Sequence, residues 1–481
     1  MKLRELLNGL TILSSSADLD ADIREVRYDS RAVEAGDLFV AITGAETDGH
    51  KYIPMAREKG AACVVCQTVP RDGAPYVQVA DSRRALAVIG ANRFDHPADE
   101  LTMIGVTGTS GKTTSTYLIK SILEQKAGAK VGLIGTIQNM IGDRVLHTER
   151  TTPESYELQK LLREMADAGC SHVVMEASSH ALYLDRVYGI HYAVGVYTNL
   201  SRDHLDFHHT MEEYCDAKAI LFDNCDVGVY NADDPWHERL LQNARCPRRF
   251  SYAVHTQADL TAKNVQLHPG SVDFDAEADT EWAQVHVDTP ALFTVYNALD
   301  AMACCWNLGV PLAECADALA KNHGVKGRME IIPTPGKSYT ILNDYSHKPD
   351  ALENVLRSVK GFAKGRTVVL FGCGGDRDKT KRPVMGAIAA QLADFVIVTS
   401  DNPRTEKPEA IIADILEGMK DTATPYVTIP DRVEAIHYAM DHAQPGDVII
   451  LAGKGHEDYQ EINHKHYPMD ERVIVAAHLN K

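Results

Sequence analysis

Short apolar runs, each closed at once by Gly, Asp, Glu, Asn or His, recur along this chain and narrow its fold more than any other feature. TMIGVTG, AKVGLIG, HVVMEASS, YAVGVYTNL and DVGVYNADD fall between about residues 99 and 330. TVVLFGCGGD, DFVIVTSDNPR and DVIILAGKGHE repeat the theme between about 331 and 481. Helical patterns lie between several of these runs, and such alternation marks βαβ units on a parallel sheet. The expected class is α/β. In open α/β sheets, ligands bind outside the carboxyl ends of the strands. The segments GTSGKTT, EASSH, NLSRDHLDFHH, GCGGDRD, SDNPR and GKGHE should therefore all face clefts. Residues 1 to 98 differ in texture. There DLFVAI, ACVVC and YVQVA mix with helical stretches and end at the polar RFDHPADEL. A chain of 481 residues is too long for one core. Three domains are expected: a small mixed α/β domain over 1–98, a central P-loop sheet over 99–330 and a Rossmann-like domain over 331–481.

Charge and composition exclude several classes. A net charge of -18 argues against a general nucleic-acid or membrane-surface binder, which would show a basic face. No apolar run approaches the roughly 20 residues of a membrane span. The opening MKLRELLNGL has no long apolar core, and Asn8 and Gly9 interrupt it, so a signal peptide is not expected and the cytoplasm is. The ten cysteines are scattered. Cys63 and Cys66 form a CxxC inside AACVVCQTV, which reads as a buried strand. Cys304 and Cys305 sit in the apolar AMACCWNLG and read as helix core. No second pair at zinc spacing accompanies them, and nothing suggests a disulfide framework.

The chemistry starts at VTGTSGKTTST, residues 106–116. A strand precedes it and the helical TTSTYLIKSILEQ follows, the context a phosphate-binding loop requires. Gly108 and Gly111 let backbone N–H groups turn toward phosphates, with Thr109 and Ser110 between them. Lys112 adds a point charge, Thr113 offers a hydroxyl to Mg²⁺, and Thr114 completes the first turn of a helix whose N-terminus is itself positive. The pattern G-x-x-x-x-G-K-[ST] is incomplete, because Val106 stands where its first glycine would be. No N-K-x-D marks a guanine switch and no L-S-G-G-Q marks a transport ATPase. That leaves phosphoryl transfer to a small substrate. Glu176 closes the apolar HVVME and offers a hard carboxylate to a metal.

Further segments follow in order: MEASSH (175–180), NLSRDHLDFH (199–208), YCDAKAILF (214–222), VYNALDA (295–301), GRME (327–330), DYSHKPDAL (344–352), GCGGDRD (372–378), DNPR (401–404) and GKGHEDYQ (453–460). With GTSGKT they resemble the Mur ligase family over essentially the whole chain, and within it the branch that adds diaminopimelate. RYDSRAVEAGDLFVAI (27–42) matches more loosely. The resemblance implies an N-terminal domain for the UDP end of the substrate, a central ATP domain and a C-terminal domain for the incoming amino acid. It implies that ATP phosphorylates the D-glutamyl carboxyl of UDP-N-acetylmuramoyl-L-alanyl-D-glutamate. The amine of meso-diaminopimelate then attacks the acyl phosphate, giving an amide, ADP and phosphate for peptidoglycan precursor synthesis. A monomer is expected.

The same resemblance assigns residues. Lys112, Glu176, His204 and Lys218 carry catalysis. Thr113, Glu176, His204 and Lys218, the last as an N6-carboxylysine (carbamate), serve Mg²⁺. By itself His204 would pass for an ordinary histidine, and Lys218 for a solvated helix lysine. Asp203, Asp206, His208 and His209 make a cluster in which zinc is conceivable, but the neighbouring phosphate loop favours magnesium. Asn297, Arg328 and Asp344 match ATP-holding positions. Tyr28 and Ser30 match UDP contacts, and Thr151, Thr152, Ser178 and Arg186 match contacts to the muramoyl peptide. Leu184 stands where some relatives carry a polar residue, so no contact is assigned to it. For the amino acid, Pro403 stiffens the loop SDNPR and Arg404 presents a planar fork suited to a carboxylate. Diaminopimelate has a distal ammonium and carboxylate where lysine has only the ammonium. Asp401 and Asn402 support that loop, Arg377 adds positive charge, Gly453 permits close backbone approach and Glu457 receives the ammonium. Folylpolyglutamate synthase and a non-catalytic nucleotide-binding protein are the rival readings. DNPR opposes the first, and intact motifs in all three segments oppose the second.

Overall fold

A computed structural model describes residues 1–480 except 45, 46, 72, 126–128, 149 and 280. The chain divides into two compact units, Met1–Phe250 and Ser251–Lys481. No helix among the described residues is long and apolar enough to cross a membrane.

The first unit opens with a five-stranded sheet of β1 (Ile12–Ser15), β2 (Val26–Arg27), β3 (Leu38–Val40), β4 (Cys63–Cys66) and β5 (Tyr76–Val79), in the order β1-β5-β4-β3-β2. Only β1 runs antiparallel to its neighbour. Helix α1 (Ser82–Arg93) packs Leu86 and Ile89 into the same core as Val65 and Val77, and Asp81 caps it by accepting from the N–H groups of Arg83 and Arg84. All four residues of β4 are buried. Burial pushes the Cys63 thiol up to about 12 and the Cys66 thiol up to about 11, so this CxxC is inert core, as its apolar setting implies.

The second sheet of this unit holds β6 (Thr102–Thr107), β7 (Val131–Ile134), β8 (Asn139–Ile141), β9 (Arg144–Leu146), β10 (His172–Glu176), β11 (Tyr192–Tyr197) and β12 (Cys225–Asn231). Its order is β12-β11-β6-β10-β7-β8-β9, parallel from β12 to β7 and antiparallel beyond. The central strands are apolar and buried nearly end to end, as expected of parallel strands covered on both faces. Val106 pairs with Glu176 on one side and Val196 on the other. That register brings the glycine-rich loop, Glu176 and the Thr198–His209 loop to one edge of the sheet.

The chain passes from one unit to the next within β13 (Arg248–Ala253). The second unit begins with β14 (Leu260–Leu267), β15 (Val272–Ala278) and β16 (Glu281–Val287), an antiparallel meander. The strict alternation in VDFDAEA buries Val272, Phe274, Ala276 and Ala278 on one face. Helix α2 (Leu292–Asn307) follows. Next come β17 (Glu330–Ile332), β18 (Thr340–Asp344), β19 (Thr367–Phe371), β20 (Phe395–Val398), β21 (Tyr426–Thr428) and β22 (Val448–Ala452), in the order β17-β18-β22-β19-β20-β21 with only β17 antiparallel. A hairpin of β23 (Tyr459–Ile462) and β24 (Lys465–Pro468) lies beside the loop after β20, through the pairing of Arg404 with Ile462.

Two buried arginines fix the ends of these strands. Arg432 and Glu471 form an ion pair at 2.8 Å with neither side chain exposed, and Arg432 donates to the carbonyls of Ser400 (3.2 Å) and Ala452 (2.9 Å). Arg382 pairs with Glu406 and Asp414 and donates to the carbonyl of Gly374.

Candidate active site

The glycine-rich loop turns directly from β6 into α3 (Lys112–Gln125). Gly108 sits at φ +150°, and a Cβ there would meet Thr198 Oγ1 at 1.9 Å, so only glycine fits. Thr198 donates its hydroxyl to Ser110 O (2.7 Å), and the Asn199 side chain bonds both the N–H and the carbonyl of Ser110. Lys112 Nζ curls over the loop to the carbonyls of Gly108 (2.8 Å) and Thr109 (3.0 Å). Its ammonium thus lies at the mouth of the loop. Thr114 is half-buried on the first helical turn.

Glu176 is buried in a cage of donors. Its Oε1 accepts from the Thr113 hydroxyl (3.0 Å) and the Thr136 N–H (2.8 Å), and its Oε2 accepts from the Thr136 hydroxyl (3.0 Å). A Cβ on Gly135 would press on Oε1 at 2.6 Å. A carboxylate and a hydroxyl held together beside a phosphate loop form a hard-oxygen set that fits Mg²⁺. Nothing in the sequence singles out Thr136, which follows an apolar strand as any turn residue would.

A second cluster surrounds Tyr214. Its hydroxyl pairs with Thr109 Oγ1 at 3.2 Å, His208 stacks on its ring at 5.1 Å, and Lys218 Nζ stands 4.2 Å from its centroid. Lys218, on α4 (Met211–Ala219), is 1% exposed, which overturns the reading of it as a solvated lysine. Burial, and then the charge of Lys112, push its amine well below the usual lysine range. His204 sits in the left-handed region at φ 52°, with Nε2 3.4 Å from Asp203 Oδ2 and its ring edge-on to His180 at 4.7 Å. His208 points inward to Ser179 Oγ (3.0 Å), and burial pushes it down to about 4. Among the described residues, no three His, Cys, Asp or Glu side chains gather as metal ligands, so Asp203, Asp206, His208 and His209 do not form the conceivable zinc group.

Four residues matched to the muramoyl peptide lie together. Thr152 donates to Glu176 O (2.7 Å) and Ser178 Oγ (3.3 Å), Thr151 pairs with Thr136 (3.0 Å), and Arg186 donates to Thr152 O (3.3 Å). The buried Glu154 faces Arg186, Arg83 and Arg150 at 3.4, 3.5 and 3.8 Å. Tyr28 neighbours this group through Glu157, and burial raises its phenol strongly. Ser30 lies in a 3₁₀ turn with Oγ against Met55 Sδ.

In the second unit, Asp344 ends β18 and accepts from the Met329 N–H (2.8 Å) and the Ser346 hydroxyl, and burial raises its carboxyl. Arg328 lies 5.1 Å from the ring centroid of Tyr345, which also packs on His347 (4.5 Å) and His456 (4.7 Å). Burial pushes these histidines down to about 4 and about 3, so the group is a neutral aromatic platform beside the Arg328 guanidinium. Asn297 is buried on α2, and no hydrogen bond among the described residues joins it to Arg328 or Asp344.

The residues matched to the amino acid converge from the loops after β19, β20 and β22. Arg404, at φ 52°, pairs through Nε with Glu461 Oε2 (2.8 Å) and donates to Gly375 O (2.8 Å). Asn402 donates to Glu457 Oε2 (2.9 Å), and the fully buried Lys454 bonds both Asn402 Oδ1 (2.7 Å) and Glu457 Oε2 (2.6 Å). Pro403 is buried between Asn402 and Arg404. Asp401 Oδ1 accepts from the Asn402 N–H, whereas its buried Oδ2 has no hydrogen-bond partner among the described residues. A Cβ on Gly453, at φ +115°, would meet that oxygen at 2.6 Å. Arg377 is exposed and donates to Asp376 O at 3.3 Å. Lys454 and Glu461 belong to this group as fully as the matched residues. Their only trace in the sequence is their place beside Gly453 and Glu457.

Comparison with known proteins finds likeness along three successive segments of the chain. Residues 22–94 match the model of the Mur ligase family catalytic domain, 106–305 the Mur ligase middle domain and 327–455 the Mur ligase glutamate ligase domain. The UDP-N-acetylmuramoyl-L-alanyl-D-glutamate–2,6-diaminopimelate ligase of Clostridium tetani is 46% identical, over 99% of this chain and 98% of its own. A solved structure of an enzyme with that same name aligns with a TM-score of 0.73 at 32% identity, covering 100% of this chain and 99% of the other. The MurF ligase of Thermotoga maritima, solved in complex with ADP, shares the fold with a TM-score of 0.62 at 19% identity, over 91% of this chain and 95% of its own. Matched by three such models in succession, and by a relative nearly half identical from end to end, the chain belongs to the Mur ligase family.

Proposed function

We propose that this protein is an ATP-dependent amide ligase that joins meso-diaminopimelate to UDP-N-acetylmuramoyl-L-alanyl-D-glutamate in the cytoplasm, acting as a monomer. The observation that carries the reaction type is the phosphate loop with Lys112 Nζ across its carbonyls and Thr113 held against the buried Glu176. Names borne by relatives of 32% and 46% identity support the substrates. The domain boundaries we adopt are 98/99 and 330/331.

A carboxylate resists amine attack because its leaving group is poor, and it must meet an anionic γ-phosphate to be activated. Positive charge and positioning therefore dominate the barrier. Lys112 and the N-terminus of α3 supply part of that charge. Thr113, Glu176, His204 and a carbamate on Lys218 would hold Mg²⁺, which neutralises charge on the phosphates when bound. A neutral amine is the form that adds to CO₂, burial of Lys218 shifts its amine toward that form, and the resulting carbamate, with its proton released, turns a lysine into an acidic oxygen ligand. Asn297, Arg328 and Asp344 hold the nucleotide. Thr151, Thr152, Ser178 and Arg186 hold the muramoyl peptide, with Tyr28 and Ser30 toward UDP. The substrate carboxylate attacks the γ-phosphorus and ADP leaves. The amine then attacks the acyl carbon and phosphate leaves. Arg404 and Arg377 receive the distal carboxylate of diaminopimelate, and Glu457 and the unpaired Asp401 Oδ2 receive its ammonium. Phosphate release with the UDP-muramoyl dipeptide and a panel of amino acids tests the proposal. Release dependent on diaminopimelate is expected. Equal release with glutamate, or none with any amino acid, would overturn it.

A further inference from the structure

Lys454 has no solvent exposure, and it is absent from the contacts assigned to the amino acid above. Its ammonium lies 2.6 Å from Glu457 Oε2 and 2.7 Å from Asn402 Oδ1, and 5.1 Å from the ring centroid of Tyr459. Asn402 in turn bonds the same Glu457 oxygen and accepts from the Glu461 N–H. A buried cation thus fixes two side chains on two different loops and offsets the charge of one of them.

Two close ion pairs each neutralise a carboxylate on these loops, which also carry Asp376, Asp378 and Asp458 at their surface. Arg377, Arg404 and Lys454 stand against Asp401, Glu457 and Glu461, with Arg404–Glu461 and Lys454–Glu457 as close pairs. Resting on the reading of diaminopimelate as the amino acid, we propose that Lys454 is a specificity-determining positioning residue. It offsets the charge of the Glu457 carboxylate, so that the pocket favours a zwitterionic distal head over the monocationic head of lysine. The two amino acids differ at that end by one carboxylate, which responds directly to each unit of pocket charge. One unit a few ångströms away in partly desolvated surroundings changes the preference by about 100-fold.

A charge ladder tests this. Lys454→Met makes the pocket one unit more negative than wild type, Glu457→Gln makes it one unit more positive, and Lys454→Met with Glu457→Gln restores the wild-type charge without leaving an unpaired buried charge. The readout is the ratio of kcat/KM for diaminopimelate to that for lysine, with KM for ATP and the thermal unfolding temperature followed in parallel. The ratio is expected to fall by about 100-fold in Lys454→Met, mainly through KM for diaminopimelate. It should return toward the wild-type value in the double variant and exceed it in Glu457→Gln, even though loss of the Glu457 carboxylate lowers overall turnover. A purely structural lysine would lower both substrates together and leave the ratio alone. If Lys454→Met does not fold, Glu457→Gln against the double variant isolates the same single charge. A ratio that ignores the order of charge overturns the proposal. A wild-type enzyme that does not use diaminopimelate overturns the substrate reading instead.

Discussion

Replacing Glu176 with glutamine separates what its carboxylate does for the fold from what it does for the reaction. The amide oxygen in the place of Oε1 keeps the bonds from the Thr113 hydroxyl and the Thr136 N–H. The amide nitrogen in the place of Oε2 meets Thr136 Oγ1, which can accept once its own proton turns to Thr151 Oγ1, 3.0 Å away. Every buried polar atom keeps a partner, so the loss is the difference between charge-assisted and neutral hydrogen bonds, about 1 kcal/mol each. Removing a buried charge offsets part of this. A net cost of about 2 kcal/mol corresponds to a melting temperature lower by roughly 4–8 °C for a unit of this size. Turnover should fall by about 10²–10³-fold, the usual effect of deleting one preorganised charge at a phosphoryl-transfer site. Half-saturation by Mg²⁺ should also move to higher concentration. Phosphate release across a magnesium series and thermal unfolding followed by circular dichroism measure the two effects. Near-wild-type turnover would show that the carboxylate charge serves neither metal nor phosphate. A melting point lower by more than about 15 °C would show that it serves the fold instead.

Lys112→Ala should reduce ADP formation by at least about 10²-fold while thermal unfolding stays near wild type, because its bonds to the Gly108 and Thr109 carbonyls tie the loop to itself. Lys218→Ala should lose turnover by about 10³-fold with ATP affinity little changed, and bicarbonate should restore acid-treated wild type but never the alanine variant; intact mass at neutral pH reads the carbamate. Arg404→Ala should lower kcat/KM for diaminopimelate by about 10³–10⁴-fold, and Arg404→Lys should recover part of it, since an ammonium lacks the planar fork. His208 is held near 4 against an ordinary 6.5, so the unfolded chain takes up its proton first as pH falls. Its contribution to stability is complete above about 6.5 and is lost as the pH drops from there through 4, a slope that urea titrations should show and His208→Gln should flatten.

The βαβ rhythm is legible because parallel strands are buried on both faces and so must be written as unbroken apolar runs, as in VVME and VIILA. The phosphate loop is legible for a related reason: Gly108 faces Thr198 with no room for a side chain, and such positions admit one residue type. The β14–β16 meander goes unannounced by that rhythm, because its strands alternate and carry as many charges as a surface helix would. The environment of Lys218 is illegible locally. The ring of Tyr214 lies on its own helix, but Lys112 at the start of α3 and Asp203 from the loop after β11 also bias it, and no short window of sequence brings all three together. Thr136, Tyr345, His456 and Lys454 escape notice for the same reason: their meaning lies in what crosses over from other strands.

Arg432 and Arg382 hold Ser400, Ala452 and Gly374 by their carbonyl oxygens. A carbonyl is the same whatever side chain its residue bears. The loops that meet the amino acid are therefore moored at points indifferent to their own spelling, while side chains such as those of Arg404 and Glu457 stay open to exchange. A lineage changing its cell-wall cross-linker could revise those few letters one at a time, without passing through a form whose C-terminal sheet has lost its shape.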